Sequence, residues 1–355
     1  MEGWATLAVA TTVAVGVLLA GGARLGSAIY SSVEPLPPTA RQLQEEDLDA
    51  HPLFRHFAQL KGRVAWRQIG QYPTPVHHVK AKTCGGANIE FNVKREDLAS
   101  AKYGGNKVRT LQHQLASCEA HCARYPGAIF AVIGSFGSNQ VVATKVHGAD
   151  AFHLASESLE ALTFMPDNPD LDNTLNLLSS FSFGGPVILT PLAGLRALFS
   201  RLWRPGDKVL PPGGHNVCGV LGQIGACLEL AEQIERGETV DPEAIYLPYG
   251  SGCTTVGLVM GVAYARHLGL KAFCSPTFKI VAVVVHQAIG FLHNKLEALF
   301  WNRMPLSVAW SINEVSAYVT SMGLPSTLRE LCHLTRAQCL EIVTAPEYLT
   351  LANTG

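Results

Sequence analysis

The chain has 355 residues, 48% of them hydrophobic and only 15% charged, with a formal net charge of -1. This balance favours extensive burial and removes the bulk electrostatic case for a nucleic-acid partner. The length allows two domains, or one large domain with an appended segment. The nine cysteines lack metal-type spacing. Cys118 and Cys122 would lie one turn apart on a helix with no matching second pair, and they read as reduced thiols with no metal to hold.

Taken in chain order, the first element is an uncharged stretch, Trp4 to Ala23, of about the length that crosses a bilayer. Only Glu2 precedes it and Arg24 follows, so the basic start of a secretory signal and the arginines of a mitochondrial presequence are both missing. Residues 1–30 therefore read as a hydrophobic N-terminal helix acting as a membrane anchor, with the folded part facing the cytosol. An organelle-directed leader that is cleaved is the alternative. Residues 31–50 are Pro-rich and then acidic, and read as a linker.

From His51 onward, short apolar runs alternate with helical patterns. Ile89–Val93 reads as a strand, and the apolar spacing from Val108 predicts a helix that ends before Pro126 and Gly127. AIFAVIG, ending at Gly134, is a buried-type strand, and SNQVVATKVHGA is the helix after it. PVILTP is another strand, and the stretch from Asn216 to Gly237 is a long amphipathic helix. AIYLPYGSG runs from a strand into a Gly-rich loop, TTVGLVMGVAYARHLG is the next helix, and KIVAVVVH is a further strand. The alternation predicts an α/β protein with a largely parallel sheet, whose ligands bind at the C-terminal ends of strands.

Three loops lie at such ends. YGSGCTTVG (Tyr249 to Gly257) brings glycines, hydroxyls and helix-start amides together, as a phosphate cup does. Its glycines at 250, 252 and 257 match neither a Walker motif nor a dinucleotide fingerprint, and a tight turn without a ligand is the plainer alternative. GSFGSNQ (Gly134 to Gln140) places Ser138 and Asn139 at a helix start, where they either cap the helix or grip a carboxylate. KREDLASAKYGGNK sets Lys107 behind a Gly-Gly turn, either as an ordinary helix-start lysine or as a nucleophile whose pKa burial lowers. Together the loops suit one ligand that carries a phosphate, joins a lysine and works on a carboxylate-bearing small molecule. Pyridoxal 5'-phosphate with an amino acid meets that description.

The ordered motifs resemble one family. KREDL with YGGNKVRTL, GSFGSNQVVAT, LPPGGHNVCGVLGQIGACLEL, YGSGCTTVGL and YPTPVHHV are similar to segments of the D-cysteine desulfhydrase and 1-aminocyclopropane-1-carboxylate deaminase family, from about Tyr72 to about Gly261. The resemblance implies the two-domain tryptophan synthase β-like fold (fold type II of the pyridoxal enzymes). The larger, cofactor-binding domain would comprise 51–107 and 217–355, and the smaller one 108–216. It implies that Lys107 carries the cofactor and later moves protons at the substrate α-carbon, while Asn106 holds the lysine turn. Ser138, Asn139 and Gln140 would meet the substrate carboxylate, and Asn139 would also lie close to the cofactor ring. Gly250, Ser251, Gly252, Cys253 and Thr254 would cradle the phosphate, and the Gly213–Gly214 loop would lie near the ring. Tyr348 would be a second base. A homodimer is also implied.

The chain departs from the family at several points. Gln140 replaces a histidine, Cys253 replaces a glycine, and Met322 stands where the family has a tyrosine. Pro346 and Tyr348 are kept, but Leu349 follows where a partner for the pyridine nitrogen is expected, with Thr350 one place late. The chain stops at Gly355, before the family's last strand, which reads as a truncated or diverged end. The expected function is a membrane-anchored lyase or deaminase acting on a small amino acid in the manner of D-cysteine desulfhydrase, releasing ammonia, sulfide and a 2-oxo acid. Met322 speaks against ring opening of 1-aminocyclopropane-1-carboxylate. The alternatives are a non-catalytic, membrane-tethered relative that keeps the fold, and another fold type II reaction such as serine dehydration or racemisation.

Overall fold

The computed structural model describes residues 47–83, 85–135, 137–152, 154, 158–164, 171–189, 206–284 and 304–344. The apolar stretch from Trp4 to Ala23, Tyr348, Leu349 and Thr350 lie outside them. The last residues of the expected linker are folded: Leu48–Ala50 form a 3-10 turn whose Asp49 amide donates to the Asp47 side chain (3.0 Å).

A short helix, α1 (Pro52–His56), precedes a hairpin of β1 (Val76–Lys82) and β2 (Asn88–Lys94). The strand expected at Ile89–Val93 is present, but it pairs antiparallel, Val76 opposite Lys94 through to Lys82 opposite Asn88. The connection explains this: Gly86 N donates to Thr83 O (2.8 Å) in a tight turn, and a parallel partner would need a long crossover.

The chain then runs through α2 (Lys107–Arg124), β3 (Phe130–Ser135), α3 (Asn139–Ala151), β4 (Leu159–Phe164), α4 (Leu171–Ser182), β5 (Val187–Ile188) and β6 (Lys208–Leu210). The four strands form a parallel sheet in the order β5-β4-β3-β6. The central β3 is flanked on both edges, and Phe130, Ala131 and Val132 are fully buried, as an unbroken apolar run requires.

A second parallel sheet follows. Helix α5 (Val217–Glu235), β7 (Ala244–Tyr249), α6 (Cys253–His267), β8 (Lys279–Val284), α7 (Met304–Ser321), α8 (Thr327–Cys339) and β9 (Leu340–Thr344) give the order β7-β8-β9. Helix α5 is apolar and long enough to span a bilayer, but it is mostly buried and serves as the spine of the larger core. Its packing is close: a Cβ on Gly257 would lie 2.2 Å from the Gln223 Cβ, and one on Gly222 would lie 2.0 Å from the Arg109 carbonyl oxygen. Helices α2, α5 and α6 therefore meet at near-backbone contact.

A buried charge cluster fixes the hairpin and α2 to this spine. The Arg109 guanidinium makes two 2.7 Å bonds to Glu229 and bonds of 2.9 and 3.0 Å to Glu96. Lys94 adds a 2.6 Å bond to Glu229, and Arg109 stacks 3.8 Å from the Tyr72 ring centroid. Its two cationic neighbours hold the Glu229 carboxyl down at about 2 against the desolvation that would raise it.

Candidate active site

Helix α2 begins at Lys107, directly after the Gly104–Gly105 turn. Asn106 holds the N-cap position without capping through its side chain. Its amide donates instead to Thr254 Oγ1 (2.9 Å), and its carbonyl accepts from Gln223 Nε2 (2.8 Å). The turn is thus tied to both α5 and α6. The Lys107 Nζ donates to the Gly213 carbonyl (3.1 Å). Burial lowers the pKa of this amine below the ordinary lysine value, and the nearby Cys253 thiol acts weakly the other way. A lysine held by one neutral carbonyl is easier to deprotonate than one paired with a carboxylate.

The cup is the turn from β7 into α6. Gly252 has φ 87°, a left-handed conformation that costs glycine little, and it starts α6 with Cys253 at the first helical position. The first α-helical bond runs from Val256 N to Gly252 O (2.9 Å). The amides ahead of it have no intrahelical partner and lie at the positive end of the helix dipole, where an anion is favoured; that of Cys253 is 3.5 Å from Ser251 Oγ. Among the described residues, no atom would lie within 4 Å of a Cβ on Gly250. Cys253 adopts helical backbone, so the missing glycine costs no strain there. Its thiol is buried, contacts Gly214 O (3.6 Å), and is pushed up to about 11 by desolvation. Gly213 completes the wall with φ 63°; a Cβ there would fall 2.3 Å from Ser251 Oγ and 3.7 Å from Lys107 Nζ. Lysine, cup and Gly213–Gly214 loop meet because that side chain is absent.

The third loop lies on the other side of Gly214. Ser138 is the N-cap residue of α3 but makes no side-chain cap bond, so its expected capping role is not realised in that form. The orientation of Asn139 follows from its neighbours. Asn176 Nδ2 is a donor because it bonds the Gly137 carbonyl (3.1 Å), and it also donates to Asn139 Oδ1 (3.1 Å), as does the Tyr103 hydroxyl (2.7 Å). The Asn139 oxygen is committed, and its NH2 remains as the donor suited to an anion. Gln140 is arranged in the reverse sense. Gln114 donates to Gly214 O (2.9 Å) and Asn216 Oδ1 (2.8 Å), so its oxygen accepts from Gln140 Nε2 (3.1 Å). Gln140 is buried with its own oxygen unpartnered. A carboxylate, which only accepts, gains nothing from that oxygen. Gln140 braces the loop from behind, and Asn139 presents the donor.

Direct contacts therefore join Lys107, Asn106, Gly213, Ser251, Cys253 and Thr254. Gln140 is linked to them through Gln114, and Ser138 and Asn139 start the same helix. Met322 is buried in the larger core, with its carbonyl accepting from Arg63 (2.7 Å). Sequence reasoning passed over Tyr103, Gln114, Gln223 and His215. The two glutamines were detectable as polar residues among apolar neighbours on buried helices. The chemistry of the assembled site is to bind a small anion at the start of α6 and to present a readily deprotonated amine beside it.

No family model matches the chain. In sequence it is similar to the D-cysteine desulfhydrases of Salmonella paratyphi A and Salmonella schwarzengrund, each 26% identical over 233 residues, 64% of this chain and 66% of the relative. The match thus spans about two thirds of the length of those relatives. Among solved structures, it is similar to Escherichia coli diaminopropionate ammonia lyase in apo form, with a TM-score of 0.41 and 16% identity over 67% of this chain and 65% of that one. A pyridoxal 5'-phosphate-dependent aspartate racemase gives a TM-score of 0.42 and 16% identity, covering 66% of this chain and 61% of that one. Over that span, the chain is similar in sequence to the D-cysteine desulfhydrases.

Proposed function

We propose that the protein is a pyridoxal 5'-phosphate-dependent lyase or deaminase that acts on a small amino acid, with D-cysteine desulfhydrase-like release of ammonia, sulfide and a 2-oxo acid. The observation that carries this reading is the Lys107 amine, which donates to the Gly213 carbonyl and is set beside the glycine-rich helix start of α6. These residues fit the cofactor: Gly250, Ser251, Gly252, Cys253 and Thr254 would hold its phosphate, and Lys107 would hold its aldehyde end. When bound, pyridoxal phosphate supplies an electron sink for the substrate α-carbon.

The protein's own groups do the rest. Asn139 Nδ2, the Ser138 hydroxyl and the first amides of α3 bind and orient the substrate carboxylate. Lys107, with its pKa lowered by burial, takes and returns a proton at the substrate α-carbon. Asn106 keeps the lysine turn against Thr254, so that amine and cup hold one separation. In this reading the two sheets belong to the two domains of the tryptophan synthase β-like layout, the protein is a homodimer, and the segment from Trp4 to Ala23 anchors it to a membrane.

The test is the visible absorption spectrum of purified protein with and without added pyridoxal phosphate, beside Lys107→Ala, followed by turnover of D- and L-amino acids. A cofactor band that requires Lys107 and is bleached or shifted by a small amino acid is the expected result. No band with excess cofactor would overturn the reading and leave a non-catalytic relative.

A further inference from the structure

One histidine joins the anion cup to helix α7, and the motif analysis gave it no role. His215 follows the Gly213–Gly214 loop and is almost fully buried. Its Nδ1 lies against the Ser251 carbonyl, which only accepts, so Nδ1 carries the proton. Desolvation keeps the ring neutral at physiological pH. The other nitrogen is then a bare acceptor, and the Ser311 hydroxyl lies 3.0 Å from it. Ser311 is fully buried on α7, and its single hydroxyl proton can go either to that nitrogen or to the Ser307 carbonyl one turn earlier (2.9 Å). Tyr249, the residue that leads into the cup, is itself buried. A Cβ on Gly252 would lie 2.9 Å from the Tyr249 hydroxyl and 3.3 Å from His215 Cε1, so both rings back directly onto the loop.

We propose that His215 is a positioning residue for the anion site, through which α7 sets the affinity of the cup. The physical reason is the planarity of the peptide bond. The Ser251 carbonyl and the Gly252 N–H share one plane and point in opposite directions. Clamping the carbonyl onto His215 fixes the direction of the Gly252 N–H and preorganises the loop for an anion. This inference rests on the reading of the loop as a phosphate site.

The test uses full-length protein and two probes, pyridoxal phosphate followed by absorbance and inorganic phosphate as its competitor. His215→Ala should weaken binding of both by about tenfold, the loss expected for one preorganising hydrogen bond. His215→Asn places an N–H where Nδ1 stood and should keep affinity within about threefold of wild type. Ser311→Ala should fall between them. Cofactor saturation should shift while turnover at saturating cofactor changes little, a split that a general loss of packing would not give. If His215→Ala fails to fold, the Asn and Ser311 variants carry the test alone. Wild-type affinity in His215→Ala or in Ser311→Ala would overturn the proposal, as would His215→Asn weakened as far as His215→Ala. Failure of the cofactor reading looks different: phosphate still binds and responds to His215, but no Lys107-dependent band forms. A wild-type protein that binds neither probe refutes both.

Discussion

Lys107 and Arg109 share the first turn of one helix, and both are withdrawn from solvent, yet their surroundings differ in kind. Arg109 meets two carboxylates, Glu96 and Glu229, and stacks on Tyr72, so its charge is neutralised and bonded on several sides. Among the described residues, Lys107 bonds one carbonyl, that of Gly213. The first arrangement fixes a helix in place; a buried cation with satisfied partners has no reactivity to offer. The second leaves desolvation unopposed by a carboxylate, which is how a protein lowers an amine's pKa. Two positions in one helical turn thus divide the work. One charge holds the backbone, and the other is held ready by it.

The largest effect that would break this comparison comes from the Arg109 side. Glu229→Ala leaves Arg109 with Glu96 alone of its two carboxylates and takes from Lys94 its ion pair, and should cost about 3–5 kcal/mol, measured by denaturant unfolding. A loss below about 1 kcal/mol, the range of exposed pairs, would show that the cluster is not structural. On the other side, Lys107→Ala should fold normally, because it removes a charge that has no ion-pair partner among the described residues. It should abolish the cofactor band and lower turnover by roughly 10²–10⁴-fold, in line with loss of a proton-transfer group. A Lys107→Ala protein with full turnover would end the catalytic assignment.

Acid sharpens the contrast less severely. Burial holds the His113 and His215 rings at about 4, below the ordinary 6.5, so the folded state prefers them neutral. The unfolded chain binds more protons between those values, so their contribution is complete above about pH 6.5 and is lost as pH falls toward 4. Glu229, held at about 2, adds a second decline below its ordinary 4.5. Thermal midpoints should be level between about pH 6.5 and 8 and fall in two stages below that range, and His113→Asn should flatten the first stage. The smallest effect concerns the thiols. Cys253 is buried and pushed up to about 11, whereas Cys274 is exposed. Iodoacetamide at neutral pH should label Cys274 and leave Cys253 intact by peptide mass spectrometry, with activity unchanged.

The parts of this arrangement that were legible in the sequence are the local ones. Strand, glycine turn and helix start follow one another within a few residues at 134–140 and 247–257, and glycine chemistry marks such junctions without help from the rest of the fold. The lysine turn could be read in the same way. The hairpin turn at 83–87 carries a Gly85–Gly86 pair that was readable as a turn, but the partner strand Val76–Lys82 was not identified, so the strand at 89–93 was recognised alone. The brace behind the cup was out of reach. His215, Ser251 and Ser311 are far apart in the chain, and a buried serine on an apolar helix resembles any small core residue. The roles of Asn139 and Gln140 needed the orientations of their amides, which only three-dimensional neighbours such as Asn176 and Gln114 supply.

The separations spanned by these contacts have a consequence for how the protein comes into being. Asn106 reaches Thr254 across 148 positions and Lys107 reaches Gly213 across 106. Neither contact can form until the intervening sheet and helices have collapsed, since closing so long a loop gains nothing by itself. A nascent chain still on the ribosome has no cup until the start of α6 has emerged. Uptake of a phosphate-bearing ligand would therefore mark the end of folding, and a ligand in excess would act as a late-stage pharmacological chaperone, raising the yield of native protein without speeding its first steps.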